Sequence, residues 1–410
     1  MKFTALHRLL GRQPGPLLDD MLDEAVGQHL EETDDLDWKK DLPPAKGITQ
    51  TDFPKDVAAM ANSGGGVIVY GIAEKQKAAT ERLDIGEVDE PYQRAMRSAA
   101  VTAVSPPVLG LGLHRLGDEG KRALVVVVPA SIDVPHLIYR GEYFGAPVRN
   151  DADTVWMRER QIETMYRARL GQRRNAHEAL DSLYNEVAAG RPVAERAWMI
   201  GVARPRVPPA VHTRLTRDEA REVLRACESF TLSYSDNKGP HPLASVSLAN
   251  PRPGLRRWVA PTTVETDSSR WKEAWASVHD DGSVTLASAI GGRPEPNGQT
   301  RAWLIDSARA ERFVADLMAL LRSSSDHHST GDYEVRIGIE WQGQDPLVIQ
   351  TVDQFEFPYS DASIPMARYT PITISVRTDV DQSGFLDQVR DLATDVINQG
   401  GIQHVRTIKT

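Results

Sequence analysis

The chain has 410 residues, a single cysteine, 40% hydrophobic residues and a formal net charge of -9 at pH 7. This length predicts two packed units, and the acidic balance excludes a protein that coats nucleic acid through bulk positive charge. The lone Cys227 excludes a disulfide within the chain, and no stretch approaches the roughly 18 consecutive apolar residues of a membrane span. We therefore expect a cytoplasmic protein that does not enter the membrane.

The first elements are predicted from hydrophobic periodicity. Apolar residues recur at helical spacing between residues 16 and 30, after a proline suited to a first turn. An acidic run over residues 31–35 then leads into Leu36-Asp37-Trp38-Lys39. The alternation of apolar and polar residues predicts a half-buried strand, with Asp37 and Lys39 on the same face.

A second helix is expected from near Thr51 or Asp52, with Pro54 in its first turn and residues 57–61 on its buried side. It ends at the glycine-rich turn Asn62-Ser63-Gly64-Gly65-Gly66, which precedes a core strand over residues 67–70. A phosphate-binding loop would run from a strand into a helix, whereas this turn runs from a helix into a strand. A helix C-cap followed by a tight turn is therefore favoured over a nucleotide-binding loop.

Further along, residues 123–128 predict a buried strand and residues 155–158 a short one, followed by a helix from Glu159 to about Gln172. Six arginines accompany this helix, namely Arg158, Arg160, Arg167, Arg169, Arg173 and Arg174. They indicate either a solvated helix surface or a wall that contacts the backbone of RNA. The absence of acidic residues between Tyr166 and Arg174 favours the second interpretation.

A proline-rich stretch over residues 190–209 suggests a boundary. We expect an N-terminal α/β domain over residues 1–170, a helical connector over 171–194 and a C-terminal α+β domain over 195–410. Within the last, strands are predicted at 334–340 and 372–376, helices at 307–321 and 384–398, and loops at 291–298 and 323–331. His327 and His328 would then lie in an exposed loop, and Cys227 in a helix as a small buried hydrophobe.

The triplet Asp37-Trp38-Lys39 combines a carboxylate and a cation on one strand face. Metal-dependent phosphodiester hydrolysis uses that combination, because the carboxylate can hold Mg²⁺ or Mn²⁺ while the cation neutralises charge on the phosphate. The triplet alone is weak evidence, since exposed strands often alternate charges.

Several segments, in order, resemble the AlbA-type domain of the Schlafen family over about residues 16–170. They are Glu32-x4-Asp37-Trp38-Lys39, the helix and turn at 57–66 with the strand that ends at Gly71-Ile72, the segment from Val128 to Pro135-His136, and Arg149 with residues 154–166. The resemblance implies a mixed α/β fold and three metal-binding carboxylates at Glu32, Asp37 and Glu74. This sequence has Glu, Asp and Glu where the family pattern has Glu, Glu and Asp.

The resemblance further implies a metal-dependent endoribonuclease that cuts tRNA or another structured RNA, with Mg²⁺ or Mn²⁺ at Glu32, Asp37 and Glu74. Lys39 would stabilise the transition state. Nucleic acid, RNA or DNA, would contact Lys39, Arg149, Arg158, Arg167, Arg169, Arg173 and Arg174. His136 is expected to fix a loop by hydrogen bonding, because no second histidine or cysteine lies at ligand spacing.

Schlafen nucleases build their groove from two AlbA-type lobes, and this chain shows one, so the resemblance implies a homodimer. The C-terminal part would regulate or sense, as in a stress or antiphage-defence effector. The main alternative is a regulator of the same fold that binds DNA or RNA without cutting it. ATP binding is less favoured, because the glycine turn has the wrong direction and no Walker lysine follows it.

Overall fold

The computed structural model describes residues 3–141, 143–207, 214–295, 298–328, 330–352 and 363–409. The chain divides into two compact units, Met1–Arg174 and Asn175–Thr410. Within the described ranges, no helix combines the length and the apolar composition needed to cross a membrane.

The first unit alternates short helices with strands. Its helices are α1 (Ala5–Leu9), α2 (Asp20–Gly27), α3 (Phe53–Asn62) and α4 (Glu90–Thr102). Its strands are β1 (Leu36–Lys39), β2 (Gly66–Tyr70), β3 (Ile72–Lys75), β4 (Ala78–Arg82), β5 (Val104–Ser105), β6 (Gly112–Leu116), β7 (Ala123–Val128), β8 (Leu137–Arg140), β9 (Tyr143–Gly145), β10 (Pro147–Asn150) and β11 (Asp153–Trp156).

Two helix predictions need correction in this unit. Helix α1 was missed, and the helix expected over residues 16–30 is confined to α2. It begins at Asp20 instead of near Pro16, with Asp19 at the N-cap and further acidic residues in the first turn. Acidic side chains at a helix start favour that position, because the helix dipole is positive there.

The central sheet of the first unit has the strand order β1-β2-β7-β6. Strands β1 and β2 are parallel, and the other pairs are antiparallel. On β2, Val67 and Val69 pack into a core with α1 and α2, whereas Ile68 and Tyr70 pack into a second core with α3 and α4. The sheet is thus covered on both faces, which confirms the expected mixed α/β fold and explains the unbroken apolar runs of β2 and β7.

Strand β1 is buried more completely than the sequence predicted. Leu36 and Trp38 belong to the core beneath α1 and α2. Asp37 is paired in register with Ile68, whose side chain lies in the core beneath α3. The expectation of a half-buried strand was wrong, because Asp37 faces covered protein and is only 2% exposed.

The glycine turn after α3 has the predicted role of a C-cap and tight turn. Ser63 is the C-cap residue, and the Gly65 amide donates to the Met60 carbonyl at 2.9 Å. Gly65 has a φ of +93°, and a Cβ there would lie 2.7 Å from the amide nitrogen of Ala130. The turn therefore needs glycine both for its backbone conformation and for its close approach to the end of β7.

Helix α5 (Glu159–Ala189) is a single helix of 31 residues. It contains both the segment predicted from Glu159 to Gln172 and most of the expected connector, and the division between the two units falls within it. The strand predicted over residues 155–158 is β11, which ends at Trp156 and pairs with β10.

The second unit is built on a seven-stranded antiparallel sheet with the order β13-β14-β15-β16-β12-β18-β20. The strands of this unit are β12 (Trp198–Pro205), β13 (Arg252–Gly254), β14 (Arg257–Ala260), β15 (Ala274–His279), β16 (Val284–Ala289), β17 (Leu304–Asp306), β18 (Asp332–Glu340), β19 (Val348–Gln350) and β20 (Ile372–Arg377). Strands β17 and β19 lie outside the large sheet and pair with each other. Its helices are α6 (Arg217–Tyr234), α7 (Ser307–His328) and α8 (Gln382–Asn398). This architecture confirms the expected α+β class.

In several segments of this unit the structure differs from the prediction. The proline-rich stretch 190–209 contains β12, an interior strand of the sheet, and its residues 208 and 209 lie outside the described ranges. The expected loop over 323–331 was wrong up to His328, because α7 continues through it and the buried hydroxyl of Ser323 donates to the Val223 carbonyl at 2.6 Å. The predicted loop 291–298 is described except at residues 296 and 297, and Cys227 is buried in α6 as expected.

Helix α7 lies in the core of the second unit and carries buried charged residues. Glu311 is fully buried, and its Oε2 accepts hydrogen bonds from the Arg406 amide (2.9 Å), the Thr407 amide (2.6 Å) and the Thr407 hydroxyl (2.9 Å). Several donors thus compensate the cost of burying this carboxylate.

Candidate functional site

The candidate site is centred on Asp37, which β1 places beneath α3. Its Oδ2 lies 2.6 Å from the Lys39 ammonium, and its Oδ1 lies 3.3 Å from a guanidinium nitrogen of Arg149. The first contact confirms that Asp37 and Lys39 share a strand face. Two cations therefore compensate one buried carboxylate.

Arg149 on β10 lies inside the domain, with a side chain only 3% exposed. Its amide donates to the Ser63 hydroxyl at 2.9 Å, and its guanidinium donates to the Thr33 carbonyl at 3.1 Å. It thus ties the glycine turn and the segment before β1 to Asp37. In this position the Arg149 guanidinium compensates the charge of Asp37 inside the domain. The sequence had suggested Arg149 as a nucleic-acid contact.

Asp56 on α3 belongs to the same cluster and was not predicted. It is 6% exposed, and its carboxylate lies 3.6 Å from the Lys55 ammonium. Burial, with a smaller contribution from the charge of Asp37, raises the pKa of Asp56 to about 6, and Lys39 opposes that rise. A sequence signal did exist, because Asp56 is three residues after Phe53 and four before Met60 on the buried side of the helix.

Glu32 lies just before β1, and its Oε1 accepts a hydrogen bond from the Trp38 amide at 2.9 Å. Burial raises the pKa of Glu32 to about 7, and the charges of Asp37 and Glu74 add to the rise. The Trp38 amide and Lys39 act in the opposite direction. The side chain of Glu74 on β3 is exposed, and its Oε2 accepts from the Lys77 amide at 2.6 Å. The charges of the other two predicted carboxylates, Asp37 and Glu74, thus act on Glu32.

Carboxylate oxygens are suitable donors for Mg²⁺ or Mn²⁺. However, no group of three or more histidine, cysteine, aspartate or glutamate side chains in the described ranges is arranged to hold a metal ion. Asp37 already faces two cations, and one oxygen of Glu74 is bound by a backbone amide. In this arrangement the residues do not fit a preformed metal site.

The predicted arginines on and before α5 lie in two environments. Arg158, Arg160, Arg167 and Arg174 are exposed. Arg169 and Arg173 both contact Asp133, with nitrogen-to-oxygen distances of 3.3 and 2.6 Å. The sequence favoured an RNA contact because no acidic residue lies between Tyr166 and Arg174. That reasoning does not hold for Arg169 and Arg173, because Asp133, which is distant in sequence, compensates their charge.

Asn62 and His136 hold the loops around the site. The Asn62 amide nitrogen donates to the carbonyls of His136 (2.9 Å) and Pro147 (2.8 Å), and its oxygen accepts from the His136 amide (2.7 Å). The His136 ring bonds to the Pro106 carbonyl at 2.8 Å through Nδ1, and burial lowers its pKa. The expected role of His136 in fixing a loop is confirmed.

Known proteins are similar to parts of this chain. The Schlafen AlbA_2 family model matches residues 32–160. The solution structure of the N-terminal domain of a RecG-related protein from Nitrosomonas europaea is 22% identical, with 32% of this chain and 86% of that chain covered and a TM-score of 0.25. The DIP2311 protein from Corynebacterium diphtheriae is 16% identical, with 36% of this chain and 28% of that chain covered and a TM-score of 0.25. No curated protein matches the chain.

The N-terminal unit therefore contains a Schlafen AlbA-type domain, as its motifs suggested. A domain of this family indicates a nucleic-acid-related function.

Proposed function

We propose that the N-terminal unit binds nucleic acid and that exposed arginines of α5 contact the phosphate backbone. Arg160, Arg167 and Arg174 follow one another at intervals of seven residues, which places them on one side of the helix. All three are exposed. This row of guanidinium groups, in a domain of Schlafen AlbA type, is the observation that carries the proposal.

The charge distribution supports a local interaction. The whole chain has a net charge of -9, yet residues 154–174 contain six arginines and two acidic residues. One of those acids, Glu163, pairs with Arg167 at 2.5 Å on an exposed surface, where ion pairs are weak. Phosphate groups can therefore compete for this arginine, because backbone binding releases the counterions condensed on nucleic acid.

The test measures binding of fluorescent RNA and DNA to the full chain by anisotropy over a range of salt concentrations. The triple variant Arg160→Ala/Arg167→Ala/Arg174→Ala should bind more weakly, and its slope of log affinity against log salt should fall by up to about 3. The control Arg217→Ala/Arg221→Ala/Arg225→Ala removes the same charge from α6 and should bind as the wild type does. Equal affinity and slope in both triple variants would contradict the proposal.

A second candidate is metal-dependent endoribonuclease activity on tRNA or another structured RNA. The observation that favours it is the position of Glu32 beside Asp37 and Glu74: burial is the main cause of its raised pKa, and the charges of these two carboxylates add to it. A metal ion would bind only if Asp37 and Glu74 released their present partners, because the described residues form no preformed metal site. Lys39 would then neutralise charge on the phosphate.

This candidate requires wild-type protein to cut tRNA, rRNA or single-stranded RNA in the presence of Mg²⁺ or Mn²⁺. Glu32→Gln, Asp37→Asn and Glu74→Gln should each abolish cleavage and cell toxicity while RNA binding is retained. Glu81→Gln on β4 is the matched control, because Glu81 is exposed on the hairpin that carries Glu74. Failure of the wild type to cut any of these RNAs would remove the candidate and leave a binding domain.

We also propose that two chains associate to complete the nucleic-acid groove and that the second unit regulates it, as in a stress or antiphage-defence effector. Light scattering tests the association, and a monomer at micromolar concentration both with and without RNA would contradict it. Deletion of the regulatory unit is less informative than point variants, because α5 belongs to both units.

A further inference from the structure

The second unit contains a pocket at the start of α7 whose lining is basic. Lys272 and Arg309 line it together with Ser245 and His241, and we call it the α7 pocket. Among the residues that the structure describes, no aspartate or glutamate lines this pocket. A concave surface with charge of one sign raises the local concentration of ions of the opposite sign. The lining therefore favours an anionic occupant.

Arg309, the third residue of α7, is buried without an ion-pair partner among the described carboxylates. The residue is 6% exposed, and its guanidinium donates to the carbonyls of Ile290 (3.0 Å), Trp271 (2.7 Å) and Ala289 (2.8 Å). A guanidinium has five N–H groups, so two remain that do not bond to these carbonyls. Burial lowers the pKa of Arg309 to about 9, while the charge of Asp306 acts in the opposite direction. The side chain therefore stays charged at neutral pH.

Further positive charge surrounds Arg309. The Lys272 ammonium and the Arg309 guanidinium each lie 4.8 Å from the centre of the Trp271 ring, and the Arg293 guanidinium lies 5.3 Å from it. Arg293 pairs with Asp306 at 3.4 Å, whereas no carboxylate in the described ranges pairs with Lys272. The first turn of α7 adds the positive end of its helix dipole, where a cation is disfavoured. A bound anion would reduce the repulsion between these charges.

Ser245 adds a neutral donor to the pocket. It is 9% exposed, and its carbonyl accepts from the Thr263 amide at 2.8 Å. Its hydroxyl makes no hydrogen bond to the described part of the chain, so a donor in the lining is left for a ligand. The His241 ring is already occupied, because its Nδ1 lies 2.7 Å from an oxygen of Asp316 and its Nε2 lies 2.8 Å from the Asp236 carbonyl. This histidine therefore holds the wall of the pocket.

We propose that the α7 pocket binds a small oxyanion, a phosphate or carboxylate group held by Lys272, Arg309 and the Ser245 hydroxyl. Ammonium, guanidinium and hydroxyl groups are donors that suit the oxygens of such anions. A nucleic-acid backbone fits less well, because it needs a row of exposed cations and Arg309 is reached only from within the pocket. The site would give the second unit a ligand of its own, and it does not depend on nucleic-acid binding by the first unit.

The experiment titrates the full chain by calorimetry with inorganic phosphate, AMP and acetate, with chloride holding the ionic strength constant. Lys272 is exposed, so its replacement leaves the core intact. Lys272→Gln should weaken binding by at least about tenfold and Ser245→Ala by about fivefold, because each removes a donor to an anion. Lys272→Arg keeps the charge and should retain binding. The matched control is Arg225→Gln, which removes an exposed charge on α6 outside the pocket and should bind as the wild type does.

Binding of AMP above inorganic phosphate, lost in Lys272→Gln, would support the site and identify a phosphorylated metabolite as its ligand. A preference for acetate with the same loss would support it and identify a carboxylate. Equal affinity of wild type and Lys272→Gln for every probe, or no binding of any probe, would overturn the proposal. It would also be overturned if the Arg160→Ala/Arg167→Ala/Arg174→Ala variant lost anion binding while Lys272→Gln retained it, because the anion would then lie on α5.

Discussion

Replacing Asp56 with asparagine is expected to stabilise the N-terminal unit at neutral pH. Burial raises the pKa of Asp56 from 3.8 to about 6, so the folded state holds this proton more tightly than the unfolded state does. Below pH 3.8 the Asp56 carboxyl is protonated in both the folded and the unfolded state, so it does not change the free energy of unfolding. As the pH rises from 3.8 to 6, the fold loses stability, and above pH 6 the full cost is about 3 kcal/mol. Asparagine has a similar shape and does not ionise, so it avoids this cost.

Urea unfolding of the full chain at pH 4 and pH 8 tests this expectation. Pulsed hydrogen exchange with mass spectrometry of peptides from α3 reports on the N-terminal unit alone. Asp56→Asn should raise the free energy of unfolding by about 3 kcal/mol at pH 8 and by about 0.5 kcal/mol at pH 4. The control is Asp52→Asn at the N-cap of the same helix, whose side chain is 67% exposed, and it should change little at either pH. An equal effect of Asp56→Asn at both pH values, or destabilisation at pH 8, would refute the reasoning.

Three further outcomes follow from other contacts. Arg149→Met should destabilise the N-terminal unit by about 3 kcal/mol or more in urea, because Asp37 is 2% exposed and loses a partner. Adding Asp37→Asn should recover part of this loss. Absence of any recovery would contradict the argument that an unpaired buried charge causes the loss. Asn62→Ala removes three hydrogen bonds between α3 and the loops at His136 and Pro147. It should lower the free energy of unfolding by about 3 kcal/mol and speed hydrogen exchange in both loops. Unchanged exchange would count against the role of Asn62 in holding these loops. Burial raises the pKa of Cys227 far above its usual range, so a thiol reagent at pH 8 should react only after denaturation, and rapid reaction of the native protein would show that the thiol is accessible.

Signals within a few residues of one another predicted their structures well. Helix α3 begins after Asp52, carries Pro54 in its first turn and ends at the glycine turn, as the sequence indicated. Each of these effects acts through the local backbone, so no distant partner is needed to recognise it. The alternation of β1 likewise placed Asp37 and Lys39 together correctly.

Contacts between distant segments could not be predicted in the same way. The burial of Asp37 depends on Arg149, which is 112 residues away, and the pairing of Arg173 depends on Asp133, 40 residues earlier. In the second unit, β12 lies between β16 and β18, which are far from it along the chain. Hydrophobic periodicity identifies a strand but does not identify its neighbours, so the class of that unit was predicted and its strand order was not.

The compensation of Glu311 by residues 406 and 407 also has a consequence for biosynthesis. During translation, α7 leaves the ribosome well before these residues, so its buried carboxylate lacks the Arg406 and Thr407 donors until that later segment has also emerged. The second unit should therefore complete its fold only once residues 406 and 407 have left the ribosome, whereas the first unit has all of its strands available much earlier. A nascent chain stopped before residue 406 should expose this helix to chaperones.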